Sequence, residues 1–366
     1  MPSLSRFGTL PVETYTSLYR FLNAWTKGTS KLSRGGLVHS LYENIISLEN
    51  LLHAWKEFRK GKRKKADVAR FEFNLEDNLF KLHKELLEER YIPAPYEAFY
   101  VKDPKLRHIH KAGARDRLLH QALFRMLYPL FDKHFIFDSY SSRNLKGTHR
   151  GAKRLEAFIR KATQNWTRQA WCLKCDVRKF FDSIDHKSLL LLISRNKQID
   201  ERTMKLIETI IRGFEKNPGK GLPLGNVTSQ LFANVYMNEL DQFAKHILKA
   251  KFYARYCDDF VIVETSREVL ESSIPRIGNF LQDRLKLLLH PNKIHIRKAR
   301  QGIDFLGHVI LPHRNVIRTK TKKRIFKKLN PKNVMSYKGM LSHGKGERII
   351  QEIERRIAVF PAKAGT

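Results

Sequence analysis

The sequence predicts an α+β fold in which a few short strands carry acidic residues and are set among many helices. Two runs of aromatic and β-branched residues that contain aspartate, WCLKCD (171–176) and YARYCDDFVIV (253–263), are typical of strands packed on a core. Elsewhere, apolar residues recur at helical spacing. The 366 residues, 42% of them hydrophobic, suggest two or three subdomains rather than one small fold.

Four helices are predicted before the first strand. In the first of them Leu41, Ile45, Leu48, Leu52 and Trp55 recur at helical spacing. Asn74 is predicted to cap the second helix, which closes before two prolines. The predicted spans are 37–60, 75–89, 115–131 and 152–161.

The remaining elements follow the first strand and its turn. A helical region leads to a loop, NPGKGLPLGN, and then to a long apolar helix. The acid-bearing run 253–263 is predicted to be a hairpin, and GIDFLGHVI (302–310) a short strand. From Arg318 the tail is very basic and is predicted to be helical. The predicted helical region spans 187–214, and the predicted helices after it span 228–249 and 267–288.

The charge of the chain points to an anionic partner. There are 70 Lys and Arg residues against 36 Asp and Glu, which gives a formal net charge of +34. Nucleic acid is the commonest partner of so basic a protein, and a membrane surface is the rival. No apolar run is long enough to span a bilayer, and the first residues lack the layout of a secretion signal. A cytoplasmic location without membrane contact is therefore expected.

Two local features keep alternatives open. The basic run RKGKRKK (59–65) is equally well explained as a solvated linker or as an arm that contacts phosphates. Cys172 and Cys175 have CxxC spacing, but nothing nearby completes a zinc site, so ordinary buried thiols are favoured.

The acids at the ends of the predicted strands indicate metal chemistry. Asp176 ends one strand, and Asp258 and Asp259 lie at the hairpin turn. If the strands are neighbours, Asp176 and Asp258 converge and either share a proton or bind a cation. Mg²⁺ is held by one or two carboxylates together with substrate phosphates. In so basic a chain this pattern suggests two-metal phosphoryl transfer, although acids at a solvated hairpin tip are a common alternative.

Several motifs together resemble those of reverse transcriptases. Tyr256–Asp259 resembles the YxDD box, and CDVRKFFDSIDH (175–186) resembles the other palm motif. The resemblance implies a right-hand polymerase fold with fingers, a palm built on a small antiparallel sheet, and a helical thumb. It also implies two Mg²⁺ ions, with Mn²⁺ as a substitute, held by Asp176, Asp258 and the carbonyl of Val177. Asp259 is expected to support this catalytic pair, and Asp182 and Asp185 to be structural.

The resemblance extends to residues that contact nucleotide and primer. GLPLGNVTSQ (221–230) resembles the loop that packs on the nucleotide, HPNKIHI (290–296) the segment whose lysine approaches the triphosphate, and GIDFLG (302–307) the primer grip. LRHIHKAGARDRLLHQAL (106–123) resembles the fingers, where arginine suits phosphate contact. Lys102 and Lys105 are further candidates. The implied nucleotide-binding residues are Arg107, Arg117, Phe181 as steric gate, Leu224, Gly225, Gln230 and Lys293, and the implied primer-grip residues are Phe305, Leu306 and Gly307.

The nucleotide-loop motif departs from its usual form in a way that resembles one subgroup of the family. Leu224 stands where most bacterial relatives carry Gln, and Ser229-Gln230 stands where they carry Ser-Pro. This pattern resembles the reverse transcriptases of diversity-generating retroelements. A leucine offers no hydrogen bond, and a lost hydrogen bond weakens discrimination between nucleotides. The resemblance therefore implies error-prone copying of a template RNA, with errors at adenines, by a bacterial, archaeal or phage-encoded enzyme.

The resemblance also implies partners and a domain order. The partners are template RNA, a primer with its cDNA, dNTPs and a small basic, oligomeric accessory variability protein. The expected domains are an N-terminal helical and basic extension (1–70), fingers (71–165), palm (166–310) and thumb (311–366). Two alternatives remain: a group II intron-like or defence-associated reverse transcriptase of ordinary fidelity, and a non-catalytic RNA-binding scaffold.

Overall fold

Helices and three small antiparallel sheets make up the computed structural model, which describes residues 40–102, 106–331, 333–341 and 347–358. This confirms the predicted α+β class. The helices are α1 (Leu41–Ile46), α2 (Leu48–Phe58), α3 (Ala66–Phe73), α4 (Leu75–Leu87), α5 (Ala114–Asp132), α6 (Thr148–Ala162), α7 (Phe180–Ser183), α8 (His186–Ser194), α9 (Glu201–Arg212), α10 (Val227–Gln242), α11 (Arg267–Leu285), α12 (Thr319–Lys328), α13 (Val334–Leu341) and α14 (Glu347–Ala358). The strands are β1 (Glu97–Val101), β2 (Arg107–Lys111), β3 (Trp171–Asp176), β4 (Phe252–Tyr256), β5 (Asp259–Glu264), β6 (His295–Lys298), β7 (Ile303–Phe305), β8 (His308–Leu311) and β9 (Arg314–Ile317).

The chain divides into two compact units, each formed by two stretches of sequence. The first unit contains the described residues of 1–134 and 181–235, and the second those of 135–180 and 236–366. The first unit holds the β1–β2 hairpin and most of the helices before α10. The second holds the four-stranded and three-stranded sheets and the C-terminal helices.

Capping residues divide the predicted N-terminal helix in two. Ser40 and Glu43 form a capping box at the start of α1. Ser47 ends α1 and also caps α2, because its side chain accepts a hydrogen bond from the Asn50 amide at 3.2 Å. Residues 37–39 of the predicted span lie outside the described residues. On α2, Leu51 and Trp55 are completely buried.

The structure refines three predicted elements. Asn74 precedes α4 as predicted, but its side chain makes no capping hydrogen bond. The predicted helical region 187–214 contains two helices, since Asp200 caps α9 by accepting from the Thr203 amide at 2.8 Å. The predicted helix 228–249 becomes π-helical at Phe243–Ile247.

The four-stranded sheet has the order β4-β5-β3-β6 and is antiparallel throughout. Alternate residues of its strands face α6, where Cys172, Val261 and Val263 share a core cluster with Leu155 and Phe158. Cys172 and Cys175 are buried free thiols, as predicted, and burial raises the pKa of both. This sheet is a rigid and largely apolar base for the acids at its end.

The three-stranded sheet has the order β7-β8-β9, and a tight turn joins β7 to β8. Residues 302–310, predicted as one strand, form a hairpin because Leu306 and Gly307 adopt φ values of +53° and +87°. Gly151 on α6 lies against this turn, where an added Cβ would be 2.7 Å from Leu306 Cδ1. A larger residue at 151 would therefore have to displace the Leu306 side chain, so glycine allows α6 and the turn to approach closely.

The basic C-terminal tail is helical, as predicted. Helices α12, α13 and α14 enclose a small core around Ile325, Leu341 and Ile353. In the part of the chain that the structure describes, no helix is long and apolar enough to cross a membrane.

Candidate active site

The register of the four-stranded sheet gathers the three predicted catalytic acids. β3 pairs with β5 so that Asp176 lies directly opposite Asp259. Asp258 immediately precedes Asp259, in the two-residue loop that joins β4 to β5. The three acids, which are separated in the sequence, therefore form one cluster of carboxylates at one end of the sheet. We call it the acidic cluster.

Partial burial raises the pKa of two of these carboxylates. Burial and the neighbouring charge of Asp176 raise the pKa of Asp258. Burial raises the pKa of Asp259 to about 6, against the opposing effect of the Lys174 ammonium. The surroundings of Asp258 and Asp259 therefore disfavour negative charge unless a cation is close.

Two lysines supply positive charge to the cluster. Lys293 Nζ donates to Asp176 Oδ1 at 2.7 Å. Lys174 Nζ lies 3.1 Å from Asp259 Oδ2 and also donates to the Asp304 carbonyl at 2.9 Å. Lys174 therefore ties Asp259 to β7, which fits the expectation that Asp259 supports the catalytic pair.

The donor set fits a hard divalent cation that is completed by substrate. Among the described residues there is no group of three or more His, Cys, Asp or Glu side chains that could hold a metal ion. The predicted set, however, is two carboxylates and the Val177 carbonyl, and Mg²⁺ in such sites takes its other ligands from water and phosphates. Asp259 Oδ1 is buried and receives no hydrogen bond from the described part of the chain. This oxygen can therefore still accept a hydrogen bond or contact a cation.

The predicted primer-grip residues lie in the same unit. Phe305 is completely buried, whereas Leu306 is partly buried. The Gly307 carbonyl accepts from the Arg318 amide at 3.0 Å, and the Arg318 guanidinium pairs with Asp304. The turn is therefore fixed on both sides.

The other unit holds the predicted nucleotide loop. The Phe181 carbonyl accepts from the Leu222 amide at 2.8 Å, which joins the predicted gate to the loop that contains Leu224. Gly225 has φ +114°, and a Cβ there would lie 3.8 Å from Ile109 of β2. Phe181, the nucleotide loop and the β1–β2 hairpin are therefore neighbours within this unit. Leu224 is partly exposed, and Gly225 and Gln230 are exposed.

The two predicted phosphate-binding arginines differ in their surroundings. Arg107 begins β2 and is exposed. Arg117 forms an ion pair with Asp67 and lies over the Phe58 ring, with its guanidinium carbon 4.9 Å from the ring centroid. Lys102 is exposed, and Lys105 lies outside the described residues.

Sequence reasoning missed two basic residues that lie near the acidic cluster. Lys174 lies within β3, and Arg255 within β4 is completely buried. The available signal was a cation inside an apolar strand run, since a buried charge must be paired. Asp185, predicted to be structural, caps α8 by accepting from the Ser188 amide at 2.8 Å.

Comparison with known proteins identifies similar chains. Residues 102–310 match a family model described as reverse transcriptase (RNA-dependent DNA polymerase). Protein YkfC of Escherichia coli K12 is 27% identical over 274 residues, which cover 64% of this chain and 71% of YkfC. Group II intron-encoded protein LtrA of Lactococcus lactis is 24% identical to this chain, and the match covers 83% of this chain and 58% of LtrA. The chain thus spans less than two thirds of the length of LtrA.

Solved structures of telomerases are also similar. The match to apo telomerase from Candida tropicalis has a TM-score of 0.46 at 14% identity and covers 61% of this chain and 55% of that one. The match to Candida albicans telomerase with a fragment of telomeric RNA has a TM-score of 0.48 at 11% identity and covers 71% and 54%.

Proposed function

Because the chain belongs to the reverse transcriptase family of RNA-directed DNA polymerases, we propose that it copies a template RNA into error-prone cDNA, as in diversity-generating retroelements. The errors would concentrate at template adenines, and the cDNA would diversify a target gene. Leu224 carries this proposal. It is a partly exposed apolar side chain in the predicted nucleotide loop, beside a glycine with φ +114°.

The chemistry would take place at the acidic cluster. Asp176, Asp258 and the Val177 carbonyl would hold two Mg²⁺ ions, for which Mn²⁺ can substitute, and bound metal would supply charge stabilisation for phosphoryl transfer. Lys174 keeps Asp259 beside this pair. Lys293, now on Asp176, is a cation within reach of the site that a triphosphate would approach.

The predicted nucleotide-binding residues would select and hold the nucleotide. Phe181 would exclude a ribose 2′-hydroxyl, and the exposed Arg107 would contact phosphates. Arg117 can take the same role only by exchanging its ion pair with Asp67 for a phosphate. Gly225 would let the backbone approach the base pair closely, since its φ of +114° suits glycine.

The error-prone character follows from what Leu224 cannot do. A glutamine at this position offers an amide donor and acceptor to nucleotide or template, and leucine offers neither. A site that loses a hydrogen bond loses part of its power to reject the wrong base. Gln230, also exposed, completes the departure from the usual motif.

A group II intron-like enzyme of ordinary fidelity is the second candidate. The similarity to group II intron-encoded protein LtrA, over 83% of this chain, favours it. In this reading Leu224 would be a neutral replacement. The two candidates make opposite predictions about the error spectrum.

Sequencing of cDNA separates these candidates. The purified chain, Mg²⁺ and dNTPs are incubated with an RNA template annealed to a DNA primer, and the cDNA is sequenced. We expect errors concentrated at template adenines and higher accuracy with Leu224→Gln. Leu222→Met, a buried neighbour in the same loop, is the matched control and should leave the spectrum unchanged. Accurate cDNA from the parent would overturn the error-prone proposal, and binding of RNA without synthesis would favour a non-catalytic scaffold.

The proposal includes partners and a domain order. Template RNA, primer with cDNA, dNTPs and a small basic, oligomeric accessory variability protein would be the partners. The N-terminal extension (1–70), fingers (71–165), palm (166–310) and thumb (311–366) stay a prediction. The β1–β2 hairpin lies within the proposed fingers, and all three acids lie within the proposed palm.

A further inference from the structure

A buried ion pair lies close to the turn that carries Asp258. Arg255 and Asp241 are both 0% exposed. Arg255 Nε donates to Asp241 Oδ1 at 2.7 Å, and Nη2 donates to Oδ2 at 2.6 Å. A bidentate pair of this kind fixes the plane of the guanidinium as well as its position.

The same guanidinium reaches the turn itself. Arg255 Nη1 donates to the Cys257 carbonyl at 3.0 Å. Cys257 has φ +58°, in the left-handed region that is unfavourable for a residue with a side chain. It precedes Asp258 directly in the two-residue loop. A fixed donor on this carbonyl therefore opposes relaxation of a strained residue next to Asp258.

Hydrogen bonds from other residues also hold the Arg255–Asp241 pair in place. The Arg255 amide donates to the Asp138 carbonyl at 3.0 Å, and the Arg255 carbonyl accepts from the Tyr140 amide at 2.9 Å. Arg255 Nη2 also donates to Ser139 Oγ at 3.1 Å, and the Tyr253 hydroxyl donates to Asp241 Oδ1 at 2.7 Å. The guanidinium is thus a rigid link between α10, the segment 138–140 and the turn.

Stability alone is a poor explanation for this pair. Desolvation of two charges offsets most of their attraction, and apolar side chains of similar volume often stabilise a core equally well. An apolar pair, however, cannot hold the Cys257 carbonyl. We propose that Arg255 is a positioning residue, anchored by Asp241, which sets the position of Asp258 through the Cys257 carbonyl. This inference rests on the proposed catalytic role of Asp258.

The deciding variant is the double substitution Arg255→Met with Asp241→Leu, made in the full chain. It removes both charges together, so neither is left buried and unpaired. We expect the variant to fold and to bind RNA–DNA primer-template as the parent does. Its single-turnover rate of nucleotide addition should fall about 100-fold, the effect of a small misplacement of a reacting group. The Mg²⁺ concentration for half-maximal rate should rise, because Asp258 is no longer held in place.

Two further variants control this result. Arg255→Lys keeps the charge but lacks the planar fork, so its rate should lie between those of the parent and the double variant; it decides the question on the same readouts if the double variant does not fold. Arg267→Met removes another ion pair of the same unit, Arg267 Nε to Glu271 Oε1 at 2.7 Å on α11, and leaves the contacts of the segment 138–140 and of the turn in place. Its rate and Mg²⁺ dependence should equal those of the parent.

Hydrogen exchange gives a readout that needs no activity. In the double variant the amides of Asp258 and Asp259 should exchange faster, while Val261 and Val263 in the core of β5 stay protected. Parent-like exchange at the turn, or a parent-like rate and Mg²⁺ dependence, would overturn the inference. Failure of the proposed function is a different result: Asp258→Asn would then be as active as the parent, whatever the Arg255 variants do.

Discussion

The two compact units differ in how completely their ion pairs are buried. In the unit that holds the four-stranded sheet, the side chains of Arg255 and Asp241 are both fully buried. In the other unit Asp116 is buried but its partner Arg115 is 30% exposed, and Arg107 of the β1–β2 hairpin is exposed. A fully buried pair fixes the groups around it, whereas an exposed cation is available to the phosphate contact that we propose.

The largest expected effect is at the half-buried acids of the cluster. Asp258→Asn should lower the rate of nucleotide addition at least about 1,000-fold, because the amide is a poor metal ligand. Stability at pH 7 should not fall, since burial raises the pKa of Asp258 and its ionised form therefore costs folding free energy. Single-turnover kinetics and urea unfolding measure the two effects. Glu271→Gln, which changes an exposed acid on α11, should alter neither.

The next effect concerns the buried neutral group of the other unit. Burial lowers the pKa of His120 to about 4, below the 6.5 of an unfolded chain. Since the unfolded state then binds more protons, stability is complete above pH 6.5 and is lost as the pH falls towards 4. Between pH 7 and pH 5 the loss should be about 2 kcal/mol.

Urea unfolding at the two pH values checks this prediction. His120→Asn should remove the corresponding part of the pH dependence. Thr228→Val removes the hydroxyl that lies 3.0 Å from His120 Nδ1 but leaves the imidazole buried, so the pH dependence should persist. An equal pH dependence in the parent and in His120→Asn would contradict the role of this histidine.

A smaller effect is expected at the exposed cation. Arg107→Gln removes one charge-assisted contact to phosphate and should raise the KM for dNTP about tenfold, with little change in stability. Arg70→Gln, at an exposed position on α3, should leave KM unchanged. Steady-state kinetics with a fixed primer-template distinguish the two variants. An unchanged KM for Arg107→Gln would remove this residue from the nucleotide site.

The smallest effect is expected on the exposed aromatic surface of the hairpin. Tyr100 is 63% exposed and stacks on His108, directly across the strand pair, at 4.5 Å between ring centroids. Tyr100→Ala should cost about 0.5 kcal/mol of unfolding free energy, as is usual for a cross-strand pair. A loss above about 2 kcal/mol in urea unfolding would show that the hairpin is more than a surface element.

Sequence patterns predicted the acids better than their surroundings. Asp176 and Asp258 follow apolar strand runs, and the period-2 pattern of those runs is enough to predict buried strands that end in acids. The pairing of Lys174 with Asp259, and of Arg255 with Asp241, depends on which strands and helices are neighbours in the fold. Local sequence cannot specify that choice, because Arg255 and Asp241 come from separate elements.

Helix boundaries show the same limit. The apolar stripe of 37–60 continues through Ser47, so periodicity predicts one helix where a serine cap makes two. The β1–β2 strands were not predicted because the residues of both are exposed or half-buried and β2 has a single apolar residue, Ile109. Asn74 has the residue type of a cap, but its φ of −113° and ψ of 49° accompany a side chain that makes no capping bond.

The three cysteines have a practical consequence. Burial raises the pKa of all three thiols, to about 12 for Cys175 and Cys257. Because thiolates rather than thiols react with maleimides, the native chain should be almost silent to such reagents at neutral pH. A single cysteine introduced at an exposed position could therefore be labelled with a fluorophore without first removing the native ones. The chain is in this respect ready for distance measurements between its two units by energy transfer.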